Sequence, residues 1–224
     1  MIPVFIGYDP REAVAWSVLA YSIQVRSSVP VTIAPLMQQQ LRDVLSRERH
    51  ALQSTEFSFS RFLTPYLSQY TGWSIFLDCD MLALDDIARL WSLRDERFAV
   101  QVVKHRHLPR EKTKFLGQAQ STYEKKNWSS VMLFNNRKCG ALTPEYVNCA
   151  SGLDLHQFKW LEREDLVGEL PGRWNHLVDY CARSRDVSLV HFTLGGPYFP
   201  EFADCEYAEE WRAEREAMLF AGHR

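Results

Sequence analysis

Residues 3–36 run as a short apolar stretch, an amphipathic stretch and a second apolar stretch, and this order restricts the chain more than any other feature does. Residues 3–7 read as a buried strand and residues 31–36 as the next. Between them, Asp9, Pro10 and Glu12 form a helix start: a capping acid, a proline at the first helical position, and a reciprocal acid three residues on. Val14, Val18, Tyr21 and Val25 follow at helical spacing and are expected to face the core. Strand, helix, strand demands a crossover, which predicts a parallel sheet.

The pattern continues along the chain. Phe59, Phe62, Leu63, Tyr66 and Leu67 mark one face of a helix that Pro65 is expected to bend. Further strands are expected at 74–78, 98–103, 131–134 and 188–192, with helices over 86–93 and from Thr143-Pro144-Glu145 onward. The expected fold class is α/β, a mostly parallel central sheet flanked by helices. The 224 residues suit a single domain, 1–224, with residues 201–224 as a helical tail docked by Tyr207, Trp211 and Met218. Glu209, Arg212 and Glu216 fall on the tail's outer face.

Composition excludes several functions. A formal net charge of −2 gives no diffuse attraction to nucleic acid or to an anionic membrane, so phosphate binding has to be local. Five scattered cysteines form no CxxC pair, as expected of reduced thiols in the cytoplasm. The first ten residues lack the basic flank and apolar run of a signal peptide. No apolar run approaches the roughly 20 residues of a spanning helix. Residues 104–127 are polar and lysine-rich and read as a long loop.

The most informative motif is Trp73-Ser74-Ile75-Phe76-Leu77-Asp78-Cys79-Asp80. An apolar strand ends in two carboxylates, and ligands of open α/β sheets gather at the carboxyl ends of strands. Two acids in a loop that curls from such an end can turn toward one hard cation, with substrate phosphates completing its shell. The plainer alternative is a strand-end acid capping the next turn beside a solvated neighbour.

Several segments, taken in order, resemble the family-eight glycosyltransferases, retaining enzymes of the GT-A fold. These are Phe5-Ile6-Gly7-Tyr8-Asp9, Phe57 to Leu63 with Arg61, Ile75 to Asp80, Leu170-Pro171-Gly172-Arg173-Trp174-Asn175, and His191-Phe192-Thr193. The resemblance implies Asp78, Asp80 and His191 as metal ligands, Mn²⁺ before Mg²⁺ because nitrogen suits the softer ion. It implies a nucleotide-sugar donor, UDP-linked, and an acceptor that is a saccharide, a lipid-linked glycan or a protein. Arg61 would pair with the diphosphate or brace the acid pair. The first strand's loop, with Tyr8 and Asp9, would cradle the base, Tyr8 by stacking on it. The bland counterparts are a core histidine, a surface arginine and a turn-packing tyrosine.

Departures mark a divergent, bacterial-type branch. Where that family carries a phosphate-binding lysine after the histidine, this chain has Gly195-Gly196-Pro197-Tyr198. Gly195 and Gly196 would then offer backbone N–H groups, or Lys104, Lys112 or Lys114 would supply the charge. Trp128-Ser129-Ser130-Val131 replaces a glycine-bearing segment, and His156-Gln157 takes the place of an Asp-Gln pair, with Gln157 toward the sugar's reacting face. Two rivals stand beside this reading: a haloacid dehalogenase-like phosphatase, which also places Asp-x-Asp after an apolar strand, and a nucleotide-sugar-binding domain without turnover.

Overall fold

The computed structural model describes residues 1–48, 53, 55–105 and 124–220. Most of the expected loop 104–127 therefore lies outside the described residues, and so do Lys112 and Lys114.

The chain opens as expected. Strand β1 (Ile2–Gly7) leads through a 3-10 turn (Pro10–Glu12) into helix α1 (Ala13–Arg26) and returns as β2 (Val31–Leu36), parallel to β1. Strand β3 (Trp73–Leu77) lies on the other side of β1, also parallel. Each of its five residues is buried, as befits a strand covered on both faces. The sheet runs β2-β1-β3-β6-β5-β7, with β5 at Val100–Val102, β6 at Val131–Asn135 and β7 at Val167–Glu169. β6 is antiparallel to both of its neighbours, and the other strands share one direction, so the sheet is mostly parallel.

A second, smaller sheet is formed by β4 (Met81–Ala83), β9 (Leu189–His191) and β8 (His176–Leu177), in the order β4-β9-β8. It has its own apolar cluster, in which Leu82, Val190 and Phe192 meet Val18, Tyr207 and Trp211. The remaining helices are α2 (Thr64–Leu67), α3 (Ile87–Trp91), α4 (Pro144–Cys149), α5 (Gly152–His156) and α6 (Ala208–Phe220). Asp86 and Thr143 cap α3 and α4 by accepting from Ala88 N and Tyr146 N.

Two local expectations are corrected. Pro65 sits in the first turn of α2, where it needs no N–H, and does not bend a longer helix; the residues before it (Ser60–Leu63) are 3-10. The buried stripe of α1 is Ala15, Val18, Leu19, Ala20, Ser22 and Ile23, whereas Val14 and Val25 are 40% and 54% exposed. The reason is that α1 is wedged between two sheets. Leu19 and Ile23 enter the main core, while Val18 joins the second cluster. Ser22 Oγ accepts a 3.1 Å hydrogen bond from Ala83 N of β4.

Helix α6 docks as its pattern suggests. Trp211 is 1% exposed and Tyr207 3%, and Arg26 of α1 holds Glu214 at 2.5 Å. Trp211→Ala is expected to destabilise the protein by about 3–5 kcal/mol in denaturant unfolding. A change below about 0.5 kcal/mol, the range of a surface substitution, would show that the helix does not form part of the core.

Candidate metal centre

The Asp78-Cys79-Asp80 segment is where the chain passes from one sheet to the other. Asp78 N donates to Ser130 O at 3.0 Å, extending the pairing of β3 with β6. Two residues later Asp80 O accepts from Phe192 N at 2.9 Å, which begins the pairing of β4 with β9. Met81 is then the register partner of His191. This handover brings a histidine from the far end of the sequence beside the two acids. Ligand atoms of Asp78, Asp80 and His191 all lie within 4.8 Å of one another. All three residues are buried, the acids at 8% exposure and the histidine at 2%. Their donor set, two carboxylates and one imidazole on one side of a strand end, fits a divalent cation that tolerates nitrogen.

Buried acids in such proximity need compensation, and Arg61 provides it. Its Nη1 lies 2.7 Å from Asp78 Oδ1 and donates to Ser129 O at 2.9 Å. The guanidinium carbon sits 5.2 Å and 5.1 Å from the ring centroids of Phe57 and Phe76. Phe57 itself lies on Gly7 so closely that a Cβ there would fall 2.3 Å from its ring. Arg61 is thus buried and braces the acid pair, one of its two expected roles, and is not a surface charge. Burial pushes the Asp78 carboxyl up to about 6, with Arg61 acting in the opposite direction.

His191 is oriented by a residue to which the sequence reading gave no role. Asn175 is fully buried, and its Nδ2 donates to Asn127 O at 3.2 Å. That fixes the amide so that its Oδ1 accepts from His191 Nδ1–H at 2.8 Å. Nε2 is then left facing Asp80 Oδ1, 3.4 Å away. An outer hydrogen bond that sets a histidine's tautomer is a regular feature of metal sites. Asn175 is held in turn by its own segment. Arg173 clamps Asp85 at 3.1 Å and Ser188 Oγ at 2.6 Å, tying residues 171–175 to the second sheet.

Glu12 was expected to close the cap of α1 and does not. It is fully buried, and its Oε1 accepts from the Tyr198 hydroxyl at 2.8 Å. Burial, and then the charge of Asp80, push its carboxyl up to about 8. No local pattern distinguishes such an acid from a capping one, because its partner lies 186 residues away. Asp9 does cap the turn, accepting from Arg11 N at 3.0 Å. Its other contacts are the Arg11 side chain and Glu56 N, at 2.5–3.1 Å. Burial raises its pKa, but these partners outweigh that and leave it below the usual carboxylate range. Asp9 therefore braces the loop after β1, with both carboxylate oxygens taken up by Arg11 and Glu56 N.

A cavity of about 350 Å³ opens where β1 and β2 end, lined by Tyr8, Met37, Gln38, Arg42 and Glu56 among others. Tyr8 forms its wall, edge-on to Trp16 at 6.3 Å. Among the glycines, Gly195 donates its N–H to Phe192 O at 3.0 Å, so that amide closes a turn and is not offered to a phosphate as expected. Gly196 lies under the Tyr198 ring, where a Cβ would fall 2.4 Å from Cε1. Gln157 ends α5, and its carbonyl accepts from Lys125 Nζ at 3.1 Å. Its neighbour His156 is 2.7 Å from Ser129 Oγ, on the segment that holds Arg61. Lys104 lies 5.6 Å over the Trp128 ring.

No protein-family model matches the sequence. The chain is 46% identical over 222 residues to "Protein CDI" of Arabidopsis thaliana, a match covering 95% of this chain and 85% of that protein. Among solved structures it superposes on the bifunctional glycosyltransferase WbbM with a TM-score of 0.67 and 13% identity, covering 98% of this chain and 50% of WbbM. The chain thus spans half the length of that protein. An active-site mutant of LgtC gives 0.66 and 13%, with 96% of each chain covered. Apo GlyE of Streptococcus pneumoniae gives 0.61 and 14%, with 97% of this chain and 62% of GlyE covered. At these identities the likeness establishes the fold, which is GT-A.

Two outcomes are expected of the site. Asn175→Leu should weaken Mn²⁺ binding about 10–100-fold in calorimetric titration, by releasing the histidine's tautomer. Unchanged affinity would mean that His191 is not a ligand. The second outcome concerns pH. The folded state keeps a proton on Glu12 that the unfolded chain releases near 4.5, so stability is lost as pH rises from there through about 8. The Tm of metal-free protein should accordingly fall between about pH 6 and 8, and Glu12→Gln should flatten that slope. Parallel profiles for the two proteins would place the ionisation elsewhere.

Proposed function

The chain belongs to the family of Protein CDI of Arabidopsis thaliana, and from its fold and its acid–histidine cluster we propose that it is a metal-dependent glycosyltransferase acting on a nucleotide-diphosphate sugar. The observation that carries this reading is the convergence of Asp78, Asp80 and His191 at a strand end of a GT-A fold. In detail, the donor is a UDP-hexose, transfer retains the anomeric configuration, and the branch belongs with the family-eight enzymes that its motifs resemble. Mn²⁺ is the ion that the mixed oxygen and nitrogen ligands favour. The chain acts as one transferase domain, in the cytoplasm. Among the described residues no helix is long and apolar enough to cross a membrane. The acceptor sits against loops that carry no readable chemistry.

When bound, the cation neutralises charge developing on the leaving diphosphate. The protein's own residues prepare for that. Asp78 and Asp80 present carboxylate oxygens, and His191 presents Nε2 because Asn175 holds the other nitrogen. Arg61 keeps Asp78 in place from behind and stabilises its charged form, so the acid can coordinate near neutral pH. The cavity beside Tyr8 takes the base, with the tyrosine ring as its stacking surface. Gln157 contacts the reacting face of the sugar. No side chain is assigned as general base, since the departing phosphate can accept the acceptor's proton. Neither the phosphatase nor the non-catalytic alternative is favoured by the fold likeness.

Release of UDP from UDP-hexoses, measured with Mn²⁺ and with chelator, tests the reading. Asp80→Asn is expected to lower turnover at least about 100-fold, a loss of about 2.7 kcal/mol in transition-state stabilisation, with the Tm nearly unchanged. Turnover by that variant at the wild-type rate would defeat the metal assignment. Phosphate release without sugar transfer would point to the phosphatase.

A further inference from the structure

Glu12 and Tyr198 stand outside the metal triad and outside the cavity, yet their contact joins three segments that meet at the donor site. Glu12 ends the turn that follows β1. Its Oε1 accepts the Tyr198 hydroxyl at 2.8 Å, and its Oε2 lies 3.9 Å from the thiol of Cys79, between the two metal-site acids. The Tyr198 ring covers Gly196 and packs at 5.4 Å on Trp211 of α6. The turn so held begins at Thr193, two residues after His191. The buried Thr193 hydroxyl has no hydrogen-bond partner among the described residues.

A fully buried carboxyl is a costly way to fill space, because an apolar side chain of the same volume carries no desolvation penalty. What the carboxyl adds is direction: it fixes the distance between the metal loop on one side and the glycine turn on the other. We propose that Glu12 and Tyr198 are positioning residues for donor binding. Their hydrogen bond holds the Thr193–Gly196 turn against the Asp78–Asp80 loop, so that the Thr193 hydroxyl and the Gly196 N–H meet the diphosphate of a nucleotide donor. Tyr198 thus occupies the stretch that a phosphate-binding lysine would otherwise fill, and it acts through the backbone it holds and not through a charge of its own. The inference rests on reading the acid pair and His191 as the metal site of a nucleotide-sugar transferase.

Tyr198→Phe removes only the hydroxyl. Its affinity for UDP in the presence of Mn²⁺ is expected to fall about tenfold in calorimetry. Backbone hydrogen exchange across residues 193–199 should rise, with β1 and α1 unchanged. Glu12→Gln keeps an acceptor for the tyrosine and should lose less than about threefold, whereas Glu12→Leu should match Tyr198→Phe. Arg26→Met breaks the ion pair between α1 and α6 and serves as the stability control: a lowered Tm with UDP affinity retained. Wild-type protein that does not bind UDP with Mn²⁺ rejects the proposed function, and this pairing with it. Wild-type binding that Tyr198→Phe leaves unaltered rejects the positioning role alone, whether or not exchange rises.

Discussion

Two carboxylates held a few ångströms apart in a buried site repel each other and lose their hydration, so the fold around them has to supply what water no longer does. The ion pair of Arg61 with Asp78, at 2.7 Å, is the chief compensation. It explains the arrangement behind it. The arginine is itself buried, so it needs acceptors and polarisable neighbours, which Ser129 O and the rings of Phe57 and Phe76 provide. Phe57 can lie there only because residue 7 has no side chain. The end of β1, the 3-10 turn that carries Arg61 and the carboxyl end of β3 are thereby locked into one unit. Removing the guanidinium would leave Asp78 buried with a far weaker case for its charge, which is why the brace matters more than any single apolar contact nearby.

The second constraint is topological. β3 belongs to the large sheet and β4 to the small one, and only Asp78, Cys79 and Asp80 separate them. A rigid element on either side leaves this short segment little freedom, which suits a ligand-holding loop. The same handover recruits β9, so His191 arrives in register with Met81. The small sheet is therefore more than an appendage. It delivers the imidazole, Arg173 anchors the segment that orients it, and the chain entering α6 packs on it through Tyr207 and Trp211. The C-terminal helix thus acts on the site indirectly, by keeping in place the sheet from which the third ligand comes.

Sequence and structure part company at instructive places. The first β–α–β unit, β3 with its terminal acids, the helices that start near Asp86 and Thr143 and the docking of Trp211 were legible, since each follows from local periodicity or from the residue types at a helix start. The buried face of α1 was misread because the helix packs on two sides, which a one-sided hydrophobic stripe does not anticipate. Glu12 carried the signature of a capping acid while its side chain turned inward. Gly195 was read as an open donor, but its amide closes a turn on Phe192. Asn175 stood within a recognised segment, yet its part in fixing the histidine could not be seen without the His191 contact.

The sequence by itself determined the α/β class, the strand that ends in two acids, and the residue types able to hold a divalent cation, because these depend on neighbours within a few positions. The tertiary structure chose between the two roles open to Arg61, and it alone supplied the asparagine behind His191 and the tyrosine that meets Glu12. Those pairings depend on the order in which strands join a sheet and on which side chains lose water together. Nothing in the local spacing of a chain encodes either.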